Sequence, residues 1–275
     1  MTLLERAKMA ENVILRPVVE QGWRCGFANL LRLENQRWWS TRRWWVQCLV
    51  MSVILNGLLA YGLWINPLLE PGERPPDFVA GTLDVILIWM SILSVLNTLF
   101  IVQGAIIGEK QSGVAAWILS APVSRSAFII AKFIGNAVGL LATAIWLQGL
   151  LIYVQFSVSE GRLLPILPIV TALLLQSQYL LFYLALVIML GAFFASRAPV
   201  LVIAFAVLIG QPFIDNLVME SAPWLSWALP AKLPELARFA HRWEPMPSYS
   251  SIVVALALTS VFLTLAIWRF RREEF

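Results

Sequence analysis

From about residue 45 onward the chain alternates long apolar runs with short polar breaks. A helix that crosses a bilayer needs about 20 mostly apolar residues, because lipid offers no hydrogen-bond partner to an open peptide group. Six stretches meet that requirement: residues 45–65, 83–107, 127–156, 166–195, 200–219 and 251–268. The third and fourth are longer than a bilayer needs, so they tilt or run on into water. In the fifth, Gly210-Gln211-Pro212 predicts a kink, since proline removes a backbone donor.

Ahead of the first run, Trp23, Phe27, Leu30, Leu31 and Trp38 recur at helical spacing, with Arg24, Arg32, Gln36 and Arg43 on the other side. That split predicts a helix lying in the membrane interface, rings in lipid and arginines at the headgroups. Between the fifth and sixth runs, residues 220–250 carry five prolines, so no long helix crosses them. They also hold Trp224, Leu225, Trp227, Leu233, Leu236 and Phe239, too apolar for a solvated loop. Short re-entrant helices packed against the bundle, with Trp224 and Trp227 in the outer leaflet, reconcile the two facts. Gly104-xxx-Gly108 and Gly135-xxx-Gly139 put paired glycines on one helix face and suggest close helix packing.

Composition agrees. Hydrophobic residues make up 60% of the 275 and charged ones 13%, with a mean hydropathy of +0.78, too little charge for a water-soluble surface. The net charge of +4 invites a nucleic-acid reading, but the basic residues sit beside the apolar runs, where they fix orientation. Placing both termini in the cytoplasm puts 15 Lys and Arg inside and 5 outside. Residues 1–45 are too charged for a cleavable signal, so the first run is expected to be a retained anchor. The expected fold is an all-α polytopic membrane protein: a tail and interfacial helix over 1–44, then a six-helix domain over 45–275, with both termini inside.

Several chemistries are missing. No Gly-Lys-Ser/Thr triplet cradles a nucleotide phosphate, and the single His241 cannot form a metal cluster. His241 reads as a solvated loop residue. Cys25 and Cys48 read as small hydrophobes. Asp84 and Asp215 fall near outer span ends, within reach of water, and Lys132 near an inner end, where it can snorkel. Deeper lie only neutral groups, Asn97, Gln103, Asn136, Gln148, Gln176 and Gln178, which read as interhelical hydrogen bonders. The chain has the bulk of a transporter without an energy source, so energy must come from a partner.

The loop between the second and third runs is the place to seek one. Residues 108–125, from Gly108-Glu109-Lys110 to Pro122-Val123-Ser124-Arg125, have a polar start, a small apolar middle and a proline stop. They predict a short helix over 109–122 of about three turns, near 18 Å long, apolar enough to need a partner surface. The stretch resembles the coupling loop of type-2 permeases of ATP-binding-cassette (ABC) exporters. Glu109, Gly113, Ile118-Leu119, Pro122-Val123 and Arg125 match that family's motif. Val114 departs from its usual Thr, and Ala116 from a second acid.

The resemblance implies a permease subunit of an ABC exporter in a bacterial inner membrane, and a path lined by neutral polar and aromatic groups suits an amphiphilic substrate. It implies no catalytic, cofactor or metal site in this chain. ATP and Mg would sit in a separate cytoplasmic ATPase, beside a second permease half, either the same chain or a paralogue. The ATPase would dock on Glu109, Lys110, Gly113, Trp117, Leu119, Ser120, Pro122 and Arg125. The pathway, lined largely by spans two and five, would take in Asn97, Gln103 and Gln211. An alternative is a permease-like subunit that passes ATPase motion to an extracytoplasmic protein without moving substrate itself.

Overall fold

The computed structural model describes residues 21–69 and 77–273. The N-terminal tail expected over the first 20 residues lies outside them. All regular elements among the described residues are helical. In chain order these are α1 (Phe27–Ser40), α2 (Trp44–Leu69), α3 (Phe78–Val102), α4 (Ile107–Gln111), α5 (Val114–Ser120) and α6 (Arg125–Glu160). They continue as α7 (Ile166–Phe193), α8 (Arg197–Ser221), α9 (Pro223–Ser226), α10 (Leu233–His241) and α11 (Ser250–Arg271). Among the described residues six helices are long and apolar enough to cross a membrane: α2, α3 with α4, α6, α7, α8 and α11.

The apolar runs end where expected to within a turn or two, because charge and proline leave the helix no further apolar surface to cover. The helix α8 continues through Pro212, with Gln211 turned inward. At the centre stands α7, packed against α11, α10, α3, α8 and α6. Of its most apolar window 78% is buried, against 17% for α8 and for α11, so those two present most of their surface outward. The Gln176 amide donates to the Leu87 carbonyl at 3.0 Å and that of Gln178 to Ile252 at 2.5 Å, tying α7 to α3 and α11 as the deep neutral residues suggested.

A second seam joins α2 to α6. Gln47 donates to the Thr143 hydroxyl (2.9 Å), Asn56 and Ser52 to the Gln148 carbonyl oxygen (2.7 and 3.2 Å), and Gln155 to Asn56 (2.8 Å). Wide π-type turns at Ser52–Asn56 in α2 and Leu141–Trp146 in α6 lie along this seam. Each inserts an extra residue and so rotates the following polar side chains, which is how such turns re-aim a helix face. The pairs matter because an amide left open in lipid costs several kcal/mol.

The two glycine pairs differ. The Gly135 and Gly139 face admits the close approach of α1, as expected, whereas the Gly104 and Gly108 face meets the Arg197 side chain rather than a helix. A methyl group on Gly135 would stand 2.7 Å from Glu34 Cβ, and one on Gly139 2.1 Å from the Trp38 ring. The apolar face of α1 therefore packs onto α6, with Leu30 buried and Trp38 half-buried, while Trp23 and Trp39 stay exposed. A methyl group on Gly104 would likewise stand 3.2 Å from the Cζ of Arg197.

One end of the bundle gathers α1, α4, α5, the turn at 193–197 and the end of α11; the far end gathers 77–84, 160–166 and 221–250. At the far end, prolines start α9 and α10, where a missing N–H is harmless. The helix α10 folds back over α7 and α3. That fold overturns two expectations. Asp84 is buried, with His241 Nε2 at 2.7 Å, Arg242 Nη2 at 2.5 Å and Arg238 Nε at 3.3 Å; His241 is an enclosed partner of a carboxylate rather than a solvated loop residue. The Asp84 carboxylate in turn holds the Arg242 guanidinium above its ordinary pKa. Lys232, also buried, pairs with Asp215 and Glu235 at 2.8 Å each. Burial pulls its pKa down, but those two carboxylates more than offset that and raise it overall. Trp227 is half-buried against Phe239, with the Lys232 ammonium 5.0 Å above its ring, and Trp224 is 75% exposed.

Candidate functional site

The loop after α3 is shorter in helix than its sequence suggests. Glu109 to Gln111 belong to α4, which ends at Ser112. Gly113 then takes φ +72°, a left-handed conformation that glycine adopts freely, and turns the chain. Only Val114–Ser120 form α5, about 10 Å of helix. The three-turn helix expected over 109–122 is thus two helices with a glycine corner. Ser124 then caps the start of α6 by accepting from the Ala127 N–H at 3.0 Å.

The faces of α5 divide cleanly. Ala115 is buried and Ile118 and Leu119 pack on the core, while Val114 and Trp117 point away, Trp117 with 77% of its surface exposed. Ser120 and Pro122 are exposed, and the Ser120 hydroxyl donates back to the Trp117 carbonyl at 2.7 Å. With Val114, 40% exposed, the indole forms an apolar face that nothing among the described residues covers.

The charged residues of the loop turn inward. Glu109 is 4% exposed; its Oε1 lies 2.7 Å from Lys132 Nζ and 2.5 Å from Arg37 Nη1, and Lys132 also meets Glu34 at 2.7 Å. Glu109, expected on the docking surface, instead joins α4 to α1 and α6. Lys132, expected to snorkel, is 1% exposed in the same group. Lys110 donates to the Ala192 carbonyl at 2.9 Å and pairs with Glu273 at 2.6 Å, and Gln111 donates to the Ala195 carbonyl at 2.9 Å. These bonds fasten the α7–α8 turn to the root of the loop.

Past α5 the chain is stitched on both sides. The Ser124 hydroxyl donates to the Trp23 carbonyl (2.5 Å), the Ser124 N–H to that of Cys25 (3.0 Å), and the Cys25 thiol to that of Pro122 (2.9 Å). The Arg125 guanidinium donates to the carbonyls of Arg271 (2.6 Å) and Glu273 (2.8 Å), and Arg271 donates to the Ser126 hydroxyl (2.8 Å). Stacked Phe128 and Phe270 rings, 4.9 Å between centroids, continue the join between α6 and α11. A two-turn helix with an open tryptophan is therefore carried on a base tied to α1, α4, α6, α7 and α11.

The three residues expected along a pathway remain apart. Gln211 is buried and donates to the Tyr183 hydroxyl of α7 at 3.0 Å. Gln103 donates to Phe100 within its own helix end, at 3.1 Å. The Asn97 side-chain nitrogen is buried without a hydrogen-bond partner.

Sequence reasoning missed the partners of Glu109 and Lys132. One signal was present: Glu34 falls in line with Leu30 and Trp38, at i+4 and i+8, so a carboxylate interrupts the apolar face of α1.

Six helices long and apolar enough to cross a membrane, carrying an open loop helix at one end, describe a membrane-embedded protein. Residues 71–268 match the family model described as ABC-2 family transporter protein, and the chain belongs to that family. It is a membrane-embedded permease subunit of an ABC transporter, and the family works with an ABC ATPase. No match was found among curated proteins.

Proposed function

We propose that this chain is the permease half of an exporter and that α5 is the element on which a cytoplasmic ATPase docks. The observation carrying this reading is Trp117, exposed at the tip of a short helix whose other face and both flanks are fixed to the bundle. Motion delivered to such a helix moves its base rather than the helix alone. Through Lys110 and Gln111 it reaches the turn at 192–195, and so the start of α8. ATP and Mg act in the partner, and this chain contributes no catalytic group.

In this reading both termini face the cytoplasm of a bacterial inner membrane. A second half, identical or paralogous, covers the outward faces of α3 and α8. Gln103 then lies toward the pathway, while Gln211, held on Tyr183 inside the bundle, supports that wall from behind; an amphiphilic cargo suits a neutral polar group beside apolar walls. The test is purification from native membrane with its companions, then reconstitution. An ABC ATPase should co-purify, and its hydrolysis should depend on this chain and rise with amphiphile transport toward the outside. Hydrolysis indifferent to the permease would remove the reading.

A further inference from the structure

Gly210-Gln211-Pro212 falls between two halves of α8 that are held by different parts of the chain. The inner half starts from the turn fastened to the root of the loop by Lys110 and Gln111, and it buries Val200 and Ala204. Beyond Gln211 no residue of α8 is buried. The outer half is held instead at Asp215, whose carboxylate meets the Lys232 ammonium at 2.8 Å and accepts from the Ser226 hydroxyl. That outer segment is itself anchored on α11, where the Ser250 and Ser251 hydroxyls donate to the Trp227 carbonyl at 2.7 and 2.5 Å. Between the halves the helix is weak. Pro212 brings no N–H to the Leu208 carbonyl, and its ring crowds that oxygen. A methyl group on Gly210 would meet nothing within 4 Å, so no neighbour braces the backbone there.

One polar contact holds this weak point. The Gln211 amide donates to the Tyr183 hydroxyl at 3.0 Å, and Tyr183 is fully buried, with the Tyr179 and Phe182 rings set edge-on at 5.1 Å each. The Gln211 carbonyl oxygen is buried with no hydrogen-bond partner. The contact is therefore half-satisfied, because an open buried acceptor costs about as much as one hydrogen bond returns. We infer that residues 208–212 form a joint in α8 and that the Gln211–Tyr183 bond is the latch that keeps it closed. A rigid α8 following the loop would drag Asp215 from Lys232 and Ser226; a joint lets the inner half swing while those bonds hold. The joint is a property of this chain alone, and its use in moving cargo rests on the exporter reading proposed above. Val202 lies ten residues before Pro212, about 15 Å along the helix, so a swing of about 20° carries it about 5 Å.

The experiment reads spin-label distances by double electron–electron resonance on the permease alone in nanodiscs, in a Cys25→Ser, Cys48→Ser background. One label sits at Leu174→Cys on α7, the other at Val202→Cys on the inner half of α8 or at Leu217→Cys on the outer half, all three exposed positions. In Gln211→Leu, and separately in Tyr183→Phe, the 174–202 distance should shift or spread by about 5 Å, while 174–217 stays within about 2 Å. Adding Pro212→Ala to Gln211→Leu restores the missing backbone bond and should bring the 174–202 distance back to within about 2 Å of its original value. Fluorescence-detected elution checks that each variant folds. Equal changes at 202 and 217 would show α8 moving as one rod and overturn the joint. Unchanged distances in both latch variants would overturn the inference as well, as would a spread that persists with Pro212→Ala. In proteoliposomes with the co-purified ATPase, Pro212→Ala should leave ATPase binding within about two-fold and lower the cargo moved per ATP severalfold. A wild type that moves no cargo would remove the exporter reading, and the distances would still decide the joint.

Discussion

Lys132 is the residue whose removal should tell most about how the loop is held. Its ammonium is 1% exposed and lies 2.7 Å from both Glu34 and Glu109. In Lys132→Met the apolar stem remains, but two carboxylates face each other with Arg37 on Glu109 alone. Deleting one partner of a buried ion pair typically costs about 3–5 kcal/mol, because the other charge is left desolvated. The lower end, about 3 kcal/mol, applies, since Arg37 stays and the Glu34 side chain, 13% exposed, can turn toward water. At roughly 2–4 °C per kcal/mol for a chain of this size, the thermal midpoint should drop by about 6–12 °C. The companion variant Lys132→Met with Glu34→Gln removes the stranded charge and should recover most of that loss. Differential scanning fluorimetry in detergent, on purified variants, reads both. An unchanged midpoint in Lys132→Met, or no recovery in the double variant, would refute the buried charge group as the clamp between α1, α4 and α6.

Gly139→Val should dislodge α1 from α6, since a side chain there would overlap the Trp38 ring, already 2.1 Å from a methyl at that position. Limited proteolysis between residues 21 and 45 should quicken several-fold, and an unchanged digestion pattern would contradict the packing. Lys110→Met with Gln111→Ala removes the two bonds to the α7–α8 turn. ATPase binding should stay within about two-fold, while substrate moved per ATP hydrolysed in proteoliposomes falls severalfold; an unchanged ratio would exclude this route of motion. On the far side, the raised pKa of Lys232 means that its ties to Asp215 and Glu235 hold below the ordinary lysine range and are lost only as pH climbs through the elevated value. Trp227 emission, with other tryptophans replaced, should be steady from pH 6 to 9, and a transition inside that window would contradict the assignment.

The crossing helices were legible because lipid imposes a single rule, about 20 apolar residues with every peptide group satisfied within the helix. The short helices of 223–241 were legible for a related reason, prolines forbidding a long helix in a segment too apolar for water. Partners separated by long stretches of chain were not legible. Nothing near Glu109 announces that Glu34, Arg37 and Lys132 will enclose it, and nothing near Asp84 announces that α10 folds back to bring His241 and Arg242. Of the glycine pairs, Gly135 and Gly139 did mark a close helix approach, that of α1, while Gly104 and Gly108 misled, because glycine records that something approaches closely and not whether it is a helix or, as here, the Arg197 side chain. At the loop, apolar character identified the right segment. The left-handed turn at Gly113 then divided it, so the acid that opens the motif became internal and the indole became its exposed tip.

The central claim is that α5 receives the ATPase, and Trp117→Ala tests it most directly. Trp117 is 77% exposed, so the variant should purify normally. Aromatic side chains bury about 150–250 Å² in an interface, a gross gain of about 4–6 kcal/mol at ~25 cal/mol per Å². After association costs, about 2 kcal/mol survives for a central anchor, roughly 30-fold in affinity. Equilibrium binding of the co-purified ATPase to wild type and Trp117→Ala in nanodiscs should show that loss, with Trp117→Phe retaining most of the affinity. Equal binding by Trp117→Ala and wild type would contradict the account.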